Sequence, residues 1–190
     1  ATEKLVAEAG HRNQEMIGEI DGGRISGHAV ILSGRPRDAG PAPVHSLLHP
    51  LPRMNTYDQG LMWFRRDLRT QDNAALHHAL KACRRVWCVF VFDTDILDPL
   101  RARGLQADRR VEFIRESLVQ LDEQLKALGV EHRVLGVGLI VQHGQAQRLV
   151  PALAQALKVQ AVFANHDDDP AARARDARVL GELAHAGIMF

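Results

Sequence analysis

The sequence from Gly60 onward predicts an α/β domain, and two observations lead to that fold class. Short apolar runs alternate with longer segments in which apolar residues recur every three or four positions, as in strands and amphipathic helices. The connections are mostly short, which favours parallel strands joined by right-handed helical crossovers. We therefore predict a doubly wound, Rossmann-like, five-stranded parallel sheet with helices on both faces.

The preceding segment, residues 1–57, is predicted to be an irregular N-terminal extension or linker that is partly disordered. Five prolines fall between residues 36 and 52. Prolines at this spacing exclude a helix and remove backbone donors from a sheet. The boundary is placed near Asn55, so that the α/β domain occupies residues 58–190.

The domain opens with a strand and a helix. The apolar run over 61–64 predicts the first strand, which stops at a polar cluster. Asp72 is predicted to cap the helix that follows. The apolar face of that helix consists of Ala75, Leu76, Ala79, Leu80 and Cys83.

The next unit is a second strand, a loop and a long helix. The unbroken apolar run over 86–92 is typical of a strand covered on both faces. Its end carries Asp93 and is predicted to lead into a loop through Pro99 and Gly104. The helix over 109–128 has the clearest three-and-four periodicity in the chain, and Gly129 is predicted to end it.

Three further strands are predicted in the last third of the chain. The third covers 132–137 and the fourth 161–164, with an amphipathic helix over 145–157 between them.

The last helix starts at Pro170, with Asp169 as its cap, and stops at Gly187. The fifth strand is predicted to start at 188–190.

Composition limits the classes of function. Lysine and arginine number 24 against 23 acidic residues, a net charge of +1, so there is no global positive field for nucleic acid. The two cysteines, Cys83 and Cys88, lie in apolar patterns and suggest a reducing compartment. No apolar run reaches the roughly 18 residues of a membrane span, and the N-terminus lacks a secretory pattern. A cytoplasmic protein without membrane contact is expected.

Charged residues cluster after three of the predicted strands. Parallel strands end at one edge, where ligands of open α/β sheets bind. Arginines facing carboxylates and helix N-termini would suit a polar planar ligand or an anion. The alternative is solvated loops with local ion pairs. The clusters are Arg65, Arg66 and Asp67; Asp93 and Asp95; and Asn165, His166, Asp167, Asp168 and Asp169.

Other motifs predict little. Gly136 and Gly138 follow a predicted strand, but the third glycine of a dinucleotide fingerprint is missing, and no phosphate loop or hydrolase elbow occurs. Adjacent residues such as His166 to Asp169 seldom all reach one ion, so no metal site is predicted. His77 and His78 are interpreted as surface or packing residues, and Trp63 as core.

Four blocks of sequence resemble the photolyase and cryptochrome family in order and spacing. They are WFRRDLRTQDNAAL at 63–76, VFVFDTDIL at 89–97, RVEFIRESL at 110–118 and NHDDDPAARARD at 165–176. The resemblance covers about residues 58–190 and implies the N-terminal α/β domain, which holds an antenna chromophore, a deazaflavin or a folate (methenyltetrahydrofolate). Compared with the family, residues 138–141 look like an insertion or local divergence after the third strand. The resemblance places five residues at the antenna pocket and no catalytic residue in this chain: Arg65, Arg66, Asp93, Asp167 and Asp169.

The resemblance also implies what lies elsewhere in the family. A helical domain holds FAD and binds the pyrimidine dimer in DNA, and excited reduced FAD donates the electron that splits it. This chain stops at Phe190, before that domain, and is therefore expected not to repair DNA alone and to bind DNA weakly or not at all. Two alternatives stay open: a stand-alone binding module for a nucleotide-like ligand or partner, and a cryptochrome-type photoreceptor fragment. An adenine-nucleotide enzyme would need a glycine- and serine-rich loop after the first strand, which residues 65–72 lack.

Overall fold

The computed structural model describes residues 56–102, 109–132 and 136–190. The predicted extension, residues 1–57, lies outside the described residues except for Thr56 and Tyr57. Tyr57 is already the first residue of a strand.

The described residues form one four-stranded parallel sheet with the order β3-β2-β1-β4. Its strands are β1 (Tyr57–Phe64), β2 (Cys83–Asp93), β3 (Leu139–Gly144) and β4 (Ala161–Phe163). The chain passes through β1 and β2, moves outward to β3, and then crosses back to β4 on the other side of β1. This reversal makes the sheet doubly wound, as predicted.

Helices cover both faces of the sheet. They are α1 (Ala74–Ala82), α2 (Thr94–Ala102), α3 (Arg109–Glu131), α4 (Ala146–Ala156) and α5 (Pro170–His185). Side chains of α1, α2 and α3 join one apolar cluster, and side chains of α4 and α5 join a second. The predicted α/β class is therefore confirmed.

Strand β1 lies in the middle of the sheet, which explains the apolar run over 61–64. Met62 and Phe64 belong to the first cluster, whereas Leu61 and Trp63 belong to the second. Each of these four side chains is at most 2% exposed. A strand buried on both faces needs apolar residues at every position, so it appears as a continuous run.

The sheet has four strands among the described residues instead of the predicted five. The segment 188–190 forms only a single parallel bridge, between Met189 and Ala161. Two backbone hydrogen bonds hold it: Met189 N donates to Gln160 O, and Val162 N donates to Met189 O. One bridge is the beginning of a strand and no more.

The third strand lies later than predicted. Strand β3 begins at Leu139, and the stretch 138–141 interpreted as an insertion is mostly this strand. Helix α3 continues through Gly129, which is buried, to Glu131 instead of stopping there. Asp122 of α3 accepts a hydrogen bond from Leu139 N at 2.8 Å and so fixes where the strand starts. Apolar residues lie on both sides of Gly136. The pattern alone therefore fits a strand over 132–137 as well as one over 139–144.

Two local predictions before and after β2 are also corrected. The cap of α1 is Asn73, whose side chain accepts from Leu76 N, whereas Asp72 has a positive φ of 49°. The predicted loop through Pro99 is helix α2 up to Ala102, which continues through Pro99 with one backbone donor fewer.

Candidate functional site

The candidate site is the carboxyl edge of the sheet, called the rim below. It comprises the end of β2 at Asp93 and the loops after β1 and β4, residues 65–73 and 164–169. The parallel strands bring these three places together, as the sequence predicts, and α5 contributes further side chains. Most of the charges at the rim are paired with one another.

Arg65 is the buried cation of the rim. Its side chain is 8% exposed, and its NH1 atom lies 2.7 Å from both carboxylate oxygens of Asp176 on α5. Its NH2 atom donates to the carbonyl oxygen of Asn165. The Cζ atom lies 5.0 Å from the centroid of the Trp63 ring, within cation–π range. Arg65 therefore joins the end of β1 to α5 and to the β4 loop.

Asp93 is the buried anion at the end of β2. Its side chain is 4% exposed, and its Oδ2 atom lies 3.4 Å from NH1 of Arg175. Its Oδ1 atom accepts from Ala146 N, at the positive end of the α4 dipole, and from Asp95 N. These contacts compensate the loss of hydration that burial imposes on a carboxylate.

Arg175 links the two ion pairs. Its Nε atom lies 3.7 Å from Oδ1 of Asp176, and its Cζ atom lies 5.2 Å from the Trp63 ring centroid. That Nε atom is buried without a hydrogen-bond partner. Arginine and aspartate thus alternate from the end of β1 to the end of β2, through Arg65, Asp176, Arg175 and Asp93.

Three polar side chains form a clasp between the β1 and β4 loops: Asp67, Asn73 and Asn165. The Asn73 amide donates to Asp67 Oδ2 at 2.9 Å, and the Asn165 amide donates to the same oxygen. The side-chain Oδ1 of Asn165 accepts from Ala75 N, in the first turn of α1. Two loops separated by nearly a hundred residues of chain are held at fixed distance.

The remaining rim residues lie nearer to solvent. Arg66 is 75% exposed, and its Nε atom lies 3.3 Å from Oδ2 of Asp167, which is 12% exposed. Asp169 accepts from Ala171 N and Ala172 N as the cap of α5, as predicted. His166 and Asp168 form an exposed pair.

The structure brings together the five residues assigned to the pocket, but it gives them different environments. Arg65 and Asp93 are enclosed in internal ion pairs, and Asp169 is engaged in capping. Arg66 and Asp169 are exposed, whereas Asp167, which pairs with Arg66, is mostly buried. Whether a chromophore contacts them stays a prediction.

Sequence reasoning missed Arg175 and Asp176 as rim residues. Both lie on α5, two turns after its start, and reach back to the strand ends. Both fall within the block at 165–176, but the sequence does not show that α5 turns them towards the strand ends. Asn73 was missed because Asp72 beside it is an equally good cap by residue type.

Both cysteines are buried, away from the rim. Burial raises the pKa of the Cys83 thiol to about 11 and that of Cys88 further still. Within the part of the chain that is described, no three His, Cys, Asp or Glu side chains are grouped to hold a metal ion. Among the same residues no helix combines the length and apolar character needed to cross a bilayer.

Comparison with known proteins identifies the family. A family model described as DNA photolyase matches residues 60–190. The chain belongs to the DNA photolyase family. This photolyase domain is 34% identical over 128 residues to a deoxyribodipyrimidine photo-lyase of Synechococcus, covering 67% of this chain and 24% of that protein. It is 36% identical over 137 residues to the enzyme of the same name from Halobacterium salinarum, covering 67% and 26%.

Solved structures agree with the fold. An archaeal photolyase from Sulfolobus tokodaii, described as containing two FAD molecules, superposes with a TM-score of 0.55 at 31% identity. The match covers 70% of this chain and 28% of that one. The chain spans about a quarter of the length of the curated relatives it matches. It corresponds to part of a photolyase, the N-terminal α/β domain.

Proposed function

We propose that this photolyase domain binds the antenna chromophore of a light-driven deoxyribodipyrimidine photo-lyase and cannot repair DNA by itself. The observation that carries the proposal is the rim, where a frame of paired charges surrounds the exposed Arg66. Family membership supports the association with FAD and with pyrimidine dimers, which the proposal assigns to the full-length protein. The cytoplasmic location also remains part of the proposal.

The rim residues fit a chromophore with an anionic or polar edge. Arg66 would contact such a group, since its guanidinium is exposed and offers a planar set of donors. Asp167 and Asp169 would line the same side of the site. Arg65 and Asp93 would support it from below, because a direct contact would break a buried ion pair. When bound, the chromophore would supply absorption in the near ultraviolet and blue.

The experiment is an absorption spectrum of the purified chain, before and after denaturation and filtration. Chain without pigment is then titrated with a deazaflavin and with methenyltetrahydrofolate. Arg66→Ala is expected to weaken uptake about tenfold or more, as loss of a charge-assisted contact does. Arg69→Ala is the control, because Arg69 is also largely exposed in the same loop and pairs only with Asp72. Failure to take up either chromophore would contradict the proposal for this chain.

One observation favours a second candidate, a stand-alone binding module for a nucleotide-like ligand or protein partner. Two of the five assigned residues, Arg65 and Asp93, are enclosed in internal ion pairs, as a purely structural rim would require. A colourless chain that binds no chromophore yet retains its fold would support this candidate. A cryptochrome-type photoreceptor fragment shares the same domain, as the 32% identity to Cryptochrome-2 of Gallus gallus indicates.

A further inference from the structure

Four of the described helices begin at the rim, and a side-chain oxygen of the domain accepts from the first turn of each. Asparagine and aspartate caps serve α1 and α5 in this way. Helices α2 and α4 share one acceptor, because Oδ1 of Asp93 accepts from Asp95 N at 3.2 Å and from Ala146 N at 3.3 Å. Amides at helix N-termini are the groups that bind phosphate in many proteins. At this rim the protein itself occupies them.

Helix α4 depends on Asp93 because its own cap residue makes no capping bond. Gln145 stands at the N-cap position without a side-chain hydrogen bond to the helix. Its amide donates instead to Oδ1 of Asp95 at 3.1 Å. The Asp93 carboxylate, at the end of β2, therefore takes the place that an N-cap side chain or a bound anion would fill.

The same carboxylate also contacts a cation. Its Oδ2 atom lies 3.4 Å from NH1 of Arg175, whose side chain is 14% exposed. A guanidinium beside a helix N-terminus is a combination that suits phosphate and carboxylate groups. Asp93 is only 4% exposed, so its side chain fills this position and its charge would repel a second anion.

We propose that Asp93 is a specificity-determining residue, whose carboxylate keeps phosphate and other anionic groups of ligands away from the β2 end of the rim. Without it, the guanidiniums of Arg65 and Arg175 would share the single carboxylate of Asp176, which leaves a positive charge unbalanced. The exclusion applies to any ligand of the rim. Its corollary, that the anionic edge of a chromophore is left to Arg66, rests on the proposed function.

The test compares Asp93→Ala and Asp93→Asn with the wild-type chain. Alanine opens the position, whereas asparagine fills it without a charge and keeps an oxygen for Ala146 N. Asp169→Ala is the matched control, because Asp169 caps α5 from an exposed position. The probes are formate, which has the shape of the missing carboxylate, and inorganic phosphate. Each is titrated at constant ionic strength, and the urea midpoint and the NMR signals of the Asp95 and Ala146 amides are recorded.

Formate is expected to raise the urea midpoint of Asp93→Ala saturably, since an anion that binds only the folded chain stabilises it. The wild type, Asp93→Asn and Asp169→Ala should show no saturable rise. Phosphate should bind Asp93→Ala at least about tenfold more tightly than the wild type, through the freed guanidinium and helix amides. Folding of Asp93→Ala only when formate is present would give the same support.

Two results would refute the proposal. The first is a saturable shift of the two amide signals in the wild type with phosphate, a titration that needs no variant to fold. The second is an Asp93→Ala chain that gains no phosphate binding, whether or not formate stabilises it, because Asp93 would then be a structural cap alone. Chromophore uptake is not measured here, so failure of this inference is distinguished from failure of the proposed function.

Discussion

The guanidinium of Arg175 lies over the indole ring of Trp63, with 5.2 Å between its Cζ atom and the ring centroid. The same guanidinium lies 3.4 Å from the carboxylate of Asp93. A single side chain from α5 therefore connects the ends of β1 and β2.

Replacing Arg175 by methionine should destabilise the domain strongly. The change keeps the length of the side chain but leaves the buried Asp93 without its cation, a loss of about 3–5 kcal/mol in the free energy of unfolding. Urea denaturation followed by circular dichroism measures it. Arg173→Met on the exposed face of α5 should change stability by less than about 0.5 kcal/mol. Equal effects of the two variants would contradict the role given to Arg175.

The cap of α1 can be tested against its neighbour. Asn73→Ala removes the bond to Leu76 N and one donor to Asp67, with an expected loss of about 2 kcal/mol. Asp72→Asn is the control, because asparagine tolerates the positive φ at that position and the Asp72 carboxylate is exposed. Thermal unfolding distinguishes them. Equal losses for the two variants would contradict the role given to Asn73.

Asp169 and Asp168 offer a comparison at constant charge. Asp169→Ala should lower stability by about 1 kcal/mol, since Asp169 caps α5. Asp168→Ala removes the same charge from a fully exposed side chain and should have almost no effect. The measurement is the urea midpoint at constant ionic strength. If both variants lose stability equally, the net charge of the loop is responsible and not the cap.

Gly60 and Cys83 are in close contact across neighbouring strands. A Cβ atom at position 60 would lie 2.5 Å from Sγ of Cys83, so Gly60→Ala should cost about 1–3 kcal/mol through overpacking. Adding Cys83→Ala should recover part of that loss, which a double-mutant cycle measures. Gly181→Ala, in a helix with open space around it, should instead stabilise by up to about 1 kcal/mol.

The buried thiols predict a decline of stability at alkaline pH. In the unfolded chain the thiols ionise near pH 8.5, whereas burial raises the pKa of Cys83 to about 11. Unfolding then releases protons, so the free energy of unfolding falls between about pH 8.5 and 11, by at most about 1.4 kcal/mol per pH unit for each thiol. Cys83→Ala and Cys88→Ala together should flatten this decline. An unchanged slope would show that other groups cause it.

Sequence patterns predicted the elements whose burial is repetitive. Strands β1 and β2 and the helices α3, α4 and α5 bury residues at regular spacing, and Asp169 before Pro170 marked a helix start correctly. The position of β3 was wrong because its apolar residues adjoin others across Gly136, and only the contact with Asp122 selects the register. Helix α2 was missed because Pro99 was interpreted as a loop residue.

The rim was predictable in place but not in detail. Charges after three strands had to meet, because parallel strands end on one side. Which charges pair with each other depends on the helix that packs beneath them. The role of Arg175 depends on how α5 packs against the strand ends, which the sequence does not show. Its ion pair with Asp93 leaves that carboxylate buried, and not at the surface where the charge pattern suggested it.

The position of β1 in the sheet has a consequence for the order of folding. Its partner β2 follows after a single helix, whereas its other partner, β4, comes about a hundred residues later, with Gly60 opposite Ala161. During synthesis the edge of β1 that pairs with β4 therefore stays unpaired until most of the domain has been made. The side chains of β1 are strongly apolar, so this unpaired strand is prone to aggregate. Mutations that delay β4 should show first as aggregation of newly made chains, before any loss appears in the finished protein.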